Sequence, residues 1–443
     1  MTRHQRLSLH VLLLFLSFTS LSLGQGKTKL SLLKTIKGGL APKSIITNGK
    51  GKFFAQNMMY LHTVTVYDAK GNLLKTISDE VTIKNAADST SKILKGSPVE
   101  ACATADGKYV WVSNYQMYGE GYDKPGCDAC IGSGYDKSIL YKINTETYKI
   151  EAVVEVGSVP KFIALSPDER FLAVSNWTSA TVSIINPNTH KHIRTIKVGA
   201  YPRGLAFNDS STKLYVTSMG RDRIEEIDLS SWSVKQHKNI GDSPRHIIYH
   251  DTILYVSLNK ENKILKWNLT TNEKQKLNVG SKPRSTALTK DGKYLYVVNY
   301  GSNTISKINT ATMKVEQTEK TGEKPIGITI DEVNNRIWVS CYQGVINIFQ
   351  EVATVAEETK ILPEQTNLSN TAGKYHIIVA SLTSKSDAEK LKLKLVKRGH
   401  SPTVLSSDKR YRLSVASFNT AAEAHKNIKK YTHINEGVWV LEN

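Results

Sequence analysis

The chain predicts an all-β seven-bladed β-propeller followed by a small α+β domain of order β-α-β-β-α-β. Three observations carry this reading. A Gly-x-x-Pro turn recurs at 39–42, 157–160, 199–202, 241–244, 280–283 and 322–325, with a shortened Gly96-Ser-Pro98 in the gap. Four of the Pro-to-Pro intervals are 42, 42, 39 and 42 residues, the length of one four-stranded blade. Near the C-terminus, residues 375–382 and 411–418 repeat one alternating strand pattern that starts 36 residues apart.

Taken in order, Arg3, Arg6, an apolar run from Val11 to Phe18 and Ser22-Leu-Gly24 read as a secretory signal peptide over 1–24. That run is too short to span a membrane, and the mature chain carries no other transmembrane candidate. The propeller is expected over 25–350. Each unit closes a β-rich tetrad on a small or polar residue: 54–57, 111–114, 173–176, 215–218, 255–258, 296–299 and 338–341. Asp106-Gly107 and Asp291-Gly292 supply turns before two of them. The seventh unit has only three strands before Gln350, and the segment 29–36 can supply the fourth, closing the ring and removing its open edges.

An insertion in the second blade, about 116–137, is rich in Gly, Tyr and Asp and holds Cys127-Asp-Ala-Cys130. A local Cys127–Cys130 disulfide is the expected reading. Zinc needs four ligands, and no His or second Cys pair lies near in sequence. Residues 351–373 read as a flexible, mildly acidic tether. In 374–443 each repeated strand precedes a helix start with capping-box spacing, Ser384 with Asp387 and Thr420 with Glu423. Further strands fit 402–405 and 438–441.

The formal charge is +19. Residues 374–443 hold 13 Lys/Arg against 6 Asp/Glu, and residues 25–350 hold 43 against 30, so both folded parts are basic. Behind a signal peptide this balance points to anionic polymers of the envelope, and nucleic acid is not expected as a partner. Only four Cys occur, so packing and not a disulfide framework supplies the core. Cys102 and Cys341 fall on non-adjacent blades and should not pair.

The residues that follow the seven motif prolines are Lys43, Val99, Lys161, Arg203, Arg245, Arg284 and Ile326. Five cations would ring one mouth of the channel, with Asn57, Asn114, Asn176 and Asn299 facing the same end. Two readings stand: an anion or carboxylate site, or repeat sequence inherited at a solvated rim. No catalytic residue is assigned, and no cofactor or metal is expected. Glu100 is the one carboxylate near the mouth, His246 is a lone candidate base, and no Gly-x-Ser-x-Gly, His-Glu-x-x-His or phosphate loop occurs. Two or more carboxylates converging on the mouth would mark a hydrolase; a rim of cations and amides would mark a binding surface.

Residues 374–443 resemble the SPOR domain of bacterial cell-envelope proteins. Ile377, Val379, Ala380, Ser381 and Leu382 occupy the first copy of that family's strand motif, and Leu413, Val415, Ala416, Ser417 and Phe418 the second. Where the family often has Gln between its two Val positions, this chain has Ile378. The resemblance implies binding of peptidoglycan, notably glycan strands stripped of stem peptides. The site would lie on the sheet face away from the helices, among His376, Ile378, Ser381, Arg412, Ser414 and Trp439. The propeller tetrads are similar to the Tyr-Val-Thr-Asn repeats of lactonase and YncE-like propellers. Together these resemblances imply a periplasmic or secreted, cell-wall-associated binding protein. In it the propeller would present a recognition surface to an envelope protein or an anionic ligand. The alternative is a lactonase-like hydrolase that the small domain holds at the wall.

Overall fold

The computed structural model describes residues 28–58, 61–84, 91–115, 123–353, 374–397, 400, 402–407, 410–432, 434–435 and 437–442. The signal peptide, the first part of the insertion and most of the tether lie outside these residues. The chain divides into two compact units, at Ala356/Glu357.

The first unit contains seven four-stranded antiparallel sheets. The innermost strands begin at the motif prolines, or one residue before in the second blade: Pro42–Thr47, Ser97–Ala103, Pro160–Leu165, Pro202–Phe207, Pro244–His250, Pro283–Leu288 and Pro325–Asp331. Each tetrad falls in the second strand of its blade. The two signatures meet in space, which explains why they recur together. A Cβ added to Gly157 would come within 2.7 Å of the Asn176 side chain, and one on Gly280 within 2.6 Å of Asn299. Only glycine lets the turn pack onto the tetrad's last residue.

The seventh blade is completed by the N-terminal strand. Thr28–Lys37 pairs antiparallel with Val345–Ala353, from Thr28 opposite Ala353 to Lys37 opposite Val345. That strand runs three residues beyond the expected end at Gln350, because Glu351 has a structural role. Its carboxylate accepts from the buried Lys307 Nζ at 2.9 Å and from Tyr296 Oη at 2.6 Å, while Lys307 also reaches Thr28. The ion pair ties the sixth blade to the closing strand. At the seam between the seventh and first blades, Phe53 stacks on Trp338 with centroids 4.0 Å apart, both rings fully buried. Burial of rings this size is worth roughly 1.5–3 kcal/mol each. Apolar residues from facing sheets form clusters between blades, such as Phe54, Val64 and Val66 with Val110, Val112 and Tyr141.

The second unit has the expected order of elements. Its sheet runs Thr403–Ser407, Arg410–Phe418, Tyr375–Leu382, Trp439–Glu442 across its width. Asp387 N donates to Ser384 Oγ and Glu423 N to Thr420 Oγ1, both at 3.3 Å, so both helix starts are capped as the spacing predicts. Val379, Leu413, Ala388 and Leu395 form the core between sheet and helices.

Candidate functional site

A repeated piece of backbone geometry builds the mouth of the ring. The residue before the motif proline adopts a left-handed conformation in five blades: Val159, Tyr201, Ser243, Lys282 and Lys324 have φ of +57, +57, +56, +51 and +54°. This is costly for a residue with a Cβ, and most of all for β-branched Val159. Their carbonyls accept from the amide that follows each tetrad: Trp177, Met219, Asn259, Tyr300 and Tyr342 donate at 2.9–3.1 Å. The ladder register then shifts immediately after every motif proline. The cation-bearing residue sits in that irregularity, where a strand re-aims a side chain.

The carbonyl freed from the ladder is not orphaned. Ser175 Oγ donates to the Arg203 carbonyl at 2.7 Å, Thr217 Oγ1 to Arg245 at 3.1 Å and Ser257 Oγ to Arg284 at 2.8 Å. The same hydroxyls accept amides from their own inner strands: Phe162 N at 3.1 Å, Gly204 N at 2.8 Å and His246 N at 3.0 Å. The tetrad hydroxyl of one blade thereby fixes the cation of the next.

The five cations converge. Lys43, Lys161, Arg203 and Arg245 are buried and Arg284 is half-buried. Burial, and then the Arg203 charge, hold the ionisation of Lys43 well below the usual lysine range. Burial lowers Arg245 in the same way, with Arg203 and Arg284 adding to it, and lowers Arg284 to about 10 with help from Arg203. Glu100 offsets part of this charge, at 3.5 Å from Lys43 Nζ and 3.8 Å from Arg203 Nη2.

A second carboxylate arrives from the insertion, a feature with no counterpart in the repeat and therefore missed in the sequence. Cys127 and Cys130 are joined by a disulfide. The loop is strapped to the third and fourth blades: Trp177 Nε1 donates to the Asp128 carbonyl at 2.9 Å, Thr178 Oγ1 to Cys127 O at 3.0 Å and Tyr201 Oη to Ala129 O at 3.3 Å. Asp128 Oδ1 lies 2.7 Å from Lys161 Nζ and accepts from Tyr115 Oη at 3.3 Å. Asp128 is exposed on its outer side; the loss of solvent on its inner side works against the carboxylate, but Lys161 overrides it and holds its pKa below the usual value. Burial pulls Lys161 down to about 8 against the pull of Asp128. The insertion and the cation ring form one site.

The expected amides are elsewhere. Asn57, Asn114, Asn176 and Asn299 are fully buried within their blades. Asn176 Nδ2 donates to Thr181 and Ser183, Asn299 to Thr304 and Ser306, Asn57 to Thr65, and Asn114 to Asp79. The fourth tetrad position points into the blade, and the fifth meets the cations. Residues at that fifth position are Met58, Tyr115, Trp177, Met219, Asn259, Tyr300 and Tyr342. Lys161 Nζ stands 4.0 Å from the Tyr115 ring centroid and 5.4 Å from Trp177, the Arg284 guanidinium lies 3.5 Å from the Tyr300 centroid, and Arg245 Nη1 contacts Met219 Sδ at 3.7 Å. This collar was legible as an aromatic or Met at one repeat position, six times in seven.

His246 is no free base. Its Nδ1 is 2.8 Å from Thr286 Oγ1, its ring meets Phe162 edge-on at 5.0 Å, and burial, then Arg203 and Arg245, depress its pKa to about 3. No cluster of three His, Cys, Asp or Glu suited to a metal occurs among the described residues. Cys102 and Cys341 are both free thiols.

In the small domain, cross-strand pairing aligns Trp439, Ile378, Ser414 and Thr403 in one row, with Ser381 opposite Arg412 and Arg412 opposite Leu405. The six expected residues share the face away from the helices. They are not all accessible: Ile378, Ser414 and His376 are buried, with His376 Nδ1 3.3 Å from Ser414 Oγ, while Trp439, Arg412 and Ser381 are half-buried. His376 Nε2 and Ser381 Oγ are buried without partners.

The repeat, the ring closure and the appended sheet define a propeller protein with a small α+β module. Residues 132–305 match the family model of the YNCE-like beta-propeller, residues 57–192 that of the Lactonase, 7-bladed beta-propeller, and residues 371–440 that of the SPOR domain. The propeller thus matches the YNCE-like and lactonase models over parts of its length, and the C-terminal module matches the SPOR domain. No curated protein matches the chain. Among solved structures, Kuenenia stuttgartiensis hydrazine synthase is similar in fold, with a TM-score of 0.56 and 14% identity over 72% of this chain and 97% of that one.

Proposed function

We propose that the protein is a non-enzymatic binding protein of the bacterial envelope. The SPOR domain holds it on peptidoglycan glycan strands, and the propeller presents a recognition mouth there. The single observation that carries this reading is the match of residues 371–440 to the SPOR domain, together with the sheet face that gathers Trp439, Arg412 and Ser381. An aromatic platform such as Trp439 suits the apolar face of a sugar ring, and a cationic group such as Arg412 suits its rim. A glycan strand offers many copies of one site, so modest affinity per site suffices. Secretion through the segment 1–24 accords with this, and among the described residues no helix is long and apolar enough to cross a membrane. Co-sedimentation of the full mature chain with cell-wall sacculi tests it. Wild type pellets with sacculi, and a Trp439→Ala/Arg412→Ala variant stays largely in the supernatant; equal pelleting of the two would overturn the assignment of this face.

The hydrolase reading keeps one supporting observation, the lactonase match with two carboxylates, Glu100 and Asp128, at the mouth. Both are engaged by Lys or Arg and outnumbered by cations. An ionised, ion-paired carboxylate is a poor proton donor and a weak base. Two carboxylates at the mouth are what the hydrolase reading expects, and the amides of the binding reading lie elsewhere; the excess of cations over carboxylates is what favours binding.

A further inference from the structure

The charges of the mouth are not neutralised evenly. On the side of blades one to four, Glu100 serves Lys43 and Arg203, and Asp128 serves Lys161. On the side of blades five and six, Arg245 and Arg284 have no carboxylate partner among the described residues. Arg245 is 8% exposed, and its guanidinium has a single weak contact, with Met219 Sδ. Arg284 Nε is buried without a partner. A buried guanidinium presents up to five donors and normally finds acceptors for them. Arg245 is buried and Arg284 half-buried, burial and then neighbouring guanidinium charges lower their ionisation, and their unmet donors are what an anion would satisfy.

The collar narrows the chemistry. Tyr300 lies under the Arg284 guanidinium, its centroid 3.5 Å from the central carbon, an arrangement that leaves in-plane donors for planar acceptors. Met219, Tyr300 and Tyr342 add an apolar wall that suits a carbon framework and not a bare inorganic ion. Asp128 stands over Lys161 on a short disulfide-closed loop and is 67% exposed, so its negative charge faces the solvent path into the mouth.

We propose that Arg245 and Arg284 form a binding site for a carboxylate carried on a sugar or peptide framework, and that Asp128 weakens this binding through its negative charge. The proposal rests on the envelope reading for its choice of ligand. Removing a stem peptide from a glycan strand exposes the carboxylate of its muramic acid, so the strand that a SPOR domain favours carries the anion the mouth lacks.

The test uses the full mature chain without sacculi, so that failure of glycan anchoring does not affect it. Titration calorimetry or ligand-observed NMR is run with N-acetylmuramic acid, N-acetylglucosamine and glutarate. Binding of N-acetylmuramic acid but not N-acetylglucosamine supports the site; equal binding of glutarate assigns it to carboxylates in general, and weaker glutarate binding to the carboxylated sugar. Arg245→Gln/Arg284→Gln should weaken binding at least tenfold, and Asp128→Asn should tighten it several-fold, with both effects shrinking in high salt. No binding of any acid, an unchanged affinity in the double variant, or weaker binding in Asp128→Asn would overturn the proposal. Far-ultraviolet circular dichroism and melting of each variant separate loss of the site from loss of the fold.

Discussion

Ser175 Oγ donates to the carbonyl of Arg203 in the next blade at 2.7 Å while accepting the Phe162 amide of its own blade at 3.1 Å. One hydroxyl therefore joins two blades and sets the position of a cation at the mouth. Ser175→Ala strands two buried backbone groups, at about 1–3 kcal/mol. Thr217→Val should cost a similar amount through Gly204 and Arg245. Melting should fall in both variants, and a change confined to ligand binding would contradict the dual role.

Arg203 differs from Arg245 and Arg284 in having a carboxylate near it. Arg203→Gln removes a 3.8 Å ion pair with Glu100 but also the charge that repels Lys43, Arg245 and Arg284, so its two effects oppose and the net change should stay within about 1 kcal/mol. Arg245→Gln/Arg284→Gln relieves repulsion and should leave stability within about 0.5 kcal/mol of wild type or above it. Chemical denaturation measures both. Unfolding of the double variant would make these arginines structural.

Asp79 gives a signed pH dependence. It is fully buried, 3.4 Å from Asn114 Nδ2 and 3.9 Å from His62 Nδ1, and burial lifts its pKa to about 7 despite opposing hydrogen bonds. The folded state holds this proton more tightly than the unfolded chain does. The contribution is thus complete below the ordinary carboxylate pKa and is lost as pH rises through about 7. Each unit of difference is worth about 1.4 kcal/mol. Asp79→Asn should raise the melting temperature at pH 8 and flatten its decline from pH 5 to 8. Parallel profiles for wild type and variant would refute this.

Lys307 and Glu351 make the ring closure sensitive to a single charge. Lys307→Met leaves Glu351 half-paired in a buried setting, and breaking such a pair costs about 3–5 kcal/mol. Amide exchange should then rise first in Thr28–Lys37 and Val345–Ala353. Uniform loss of protection across all blades would argue against a local seam.

The blades, their number and the closing strand were legible because turn, tetrad and period all report one unit of packing. The cations were legible for the same reason. The asparagines were misplaced because the chain turns just after them, so the side chain one position later, such as Trp177 or Tyr300, reaches the mouth. Asp128 was illegible as a site residue, since its place depends on how Gly126 to Gly132 lies on the third blade: a Cβ on Gly126 would meet Val159 at 2.7 Å. In the small domain, alternation placed Trp439, Arg412 and Ser414 on one side of the sheet, opposite the core residue Leu413. The burial of Ile378 and His376 follows from cross-strand neighbours, which periodicity does not report.

The central claim is that the chain binds glycan strands from which the stem peptides are gone. It is tested most directly by saturation binding of the full mature chain to sacculi before and after amidase treatment, at fixed salt and beside an unrelated basic protein. The account predicts more bound protein after treatment, with the basic control unchanged. Equal binding to both preparations, or binding no greater than that of the control, would contradict it.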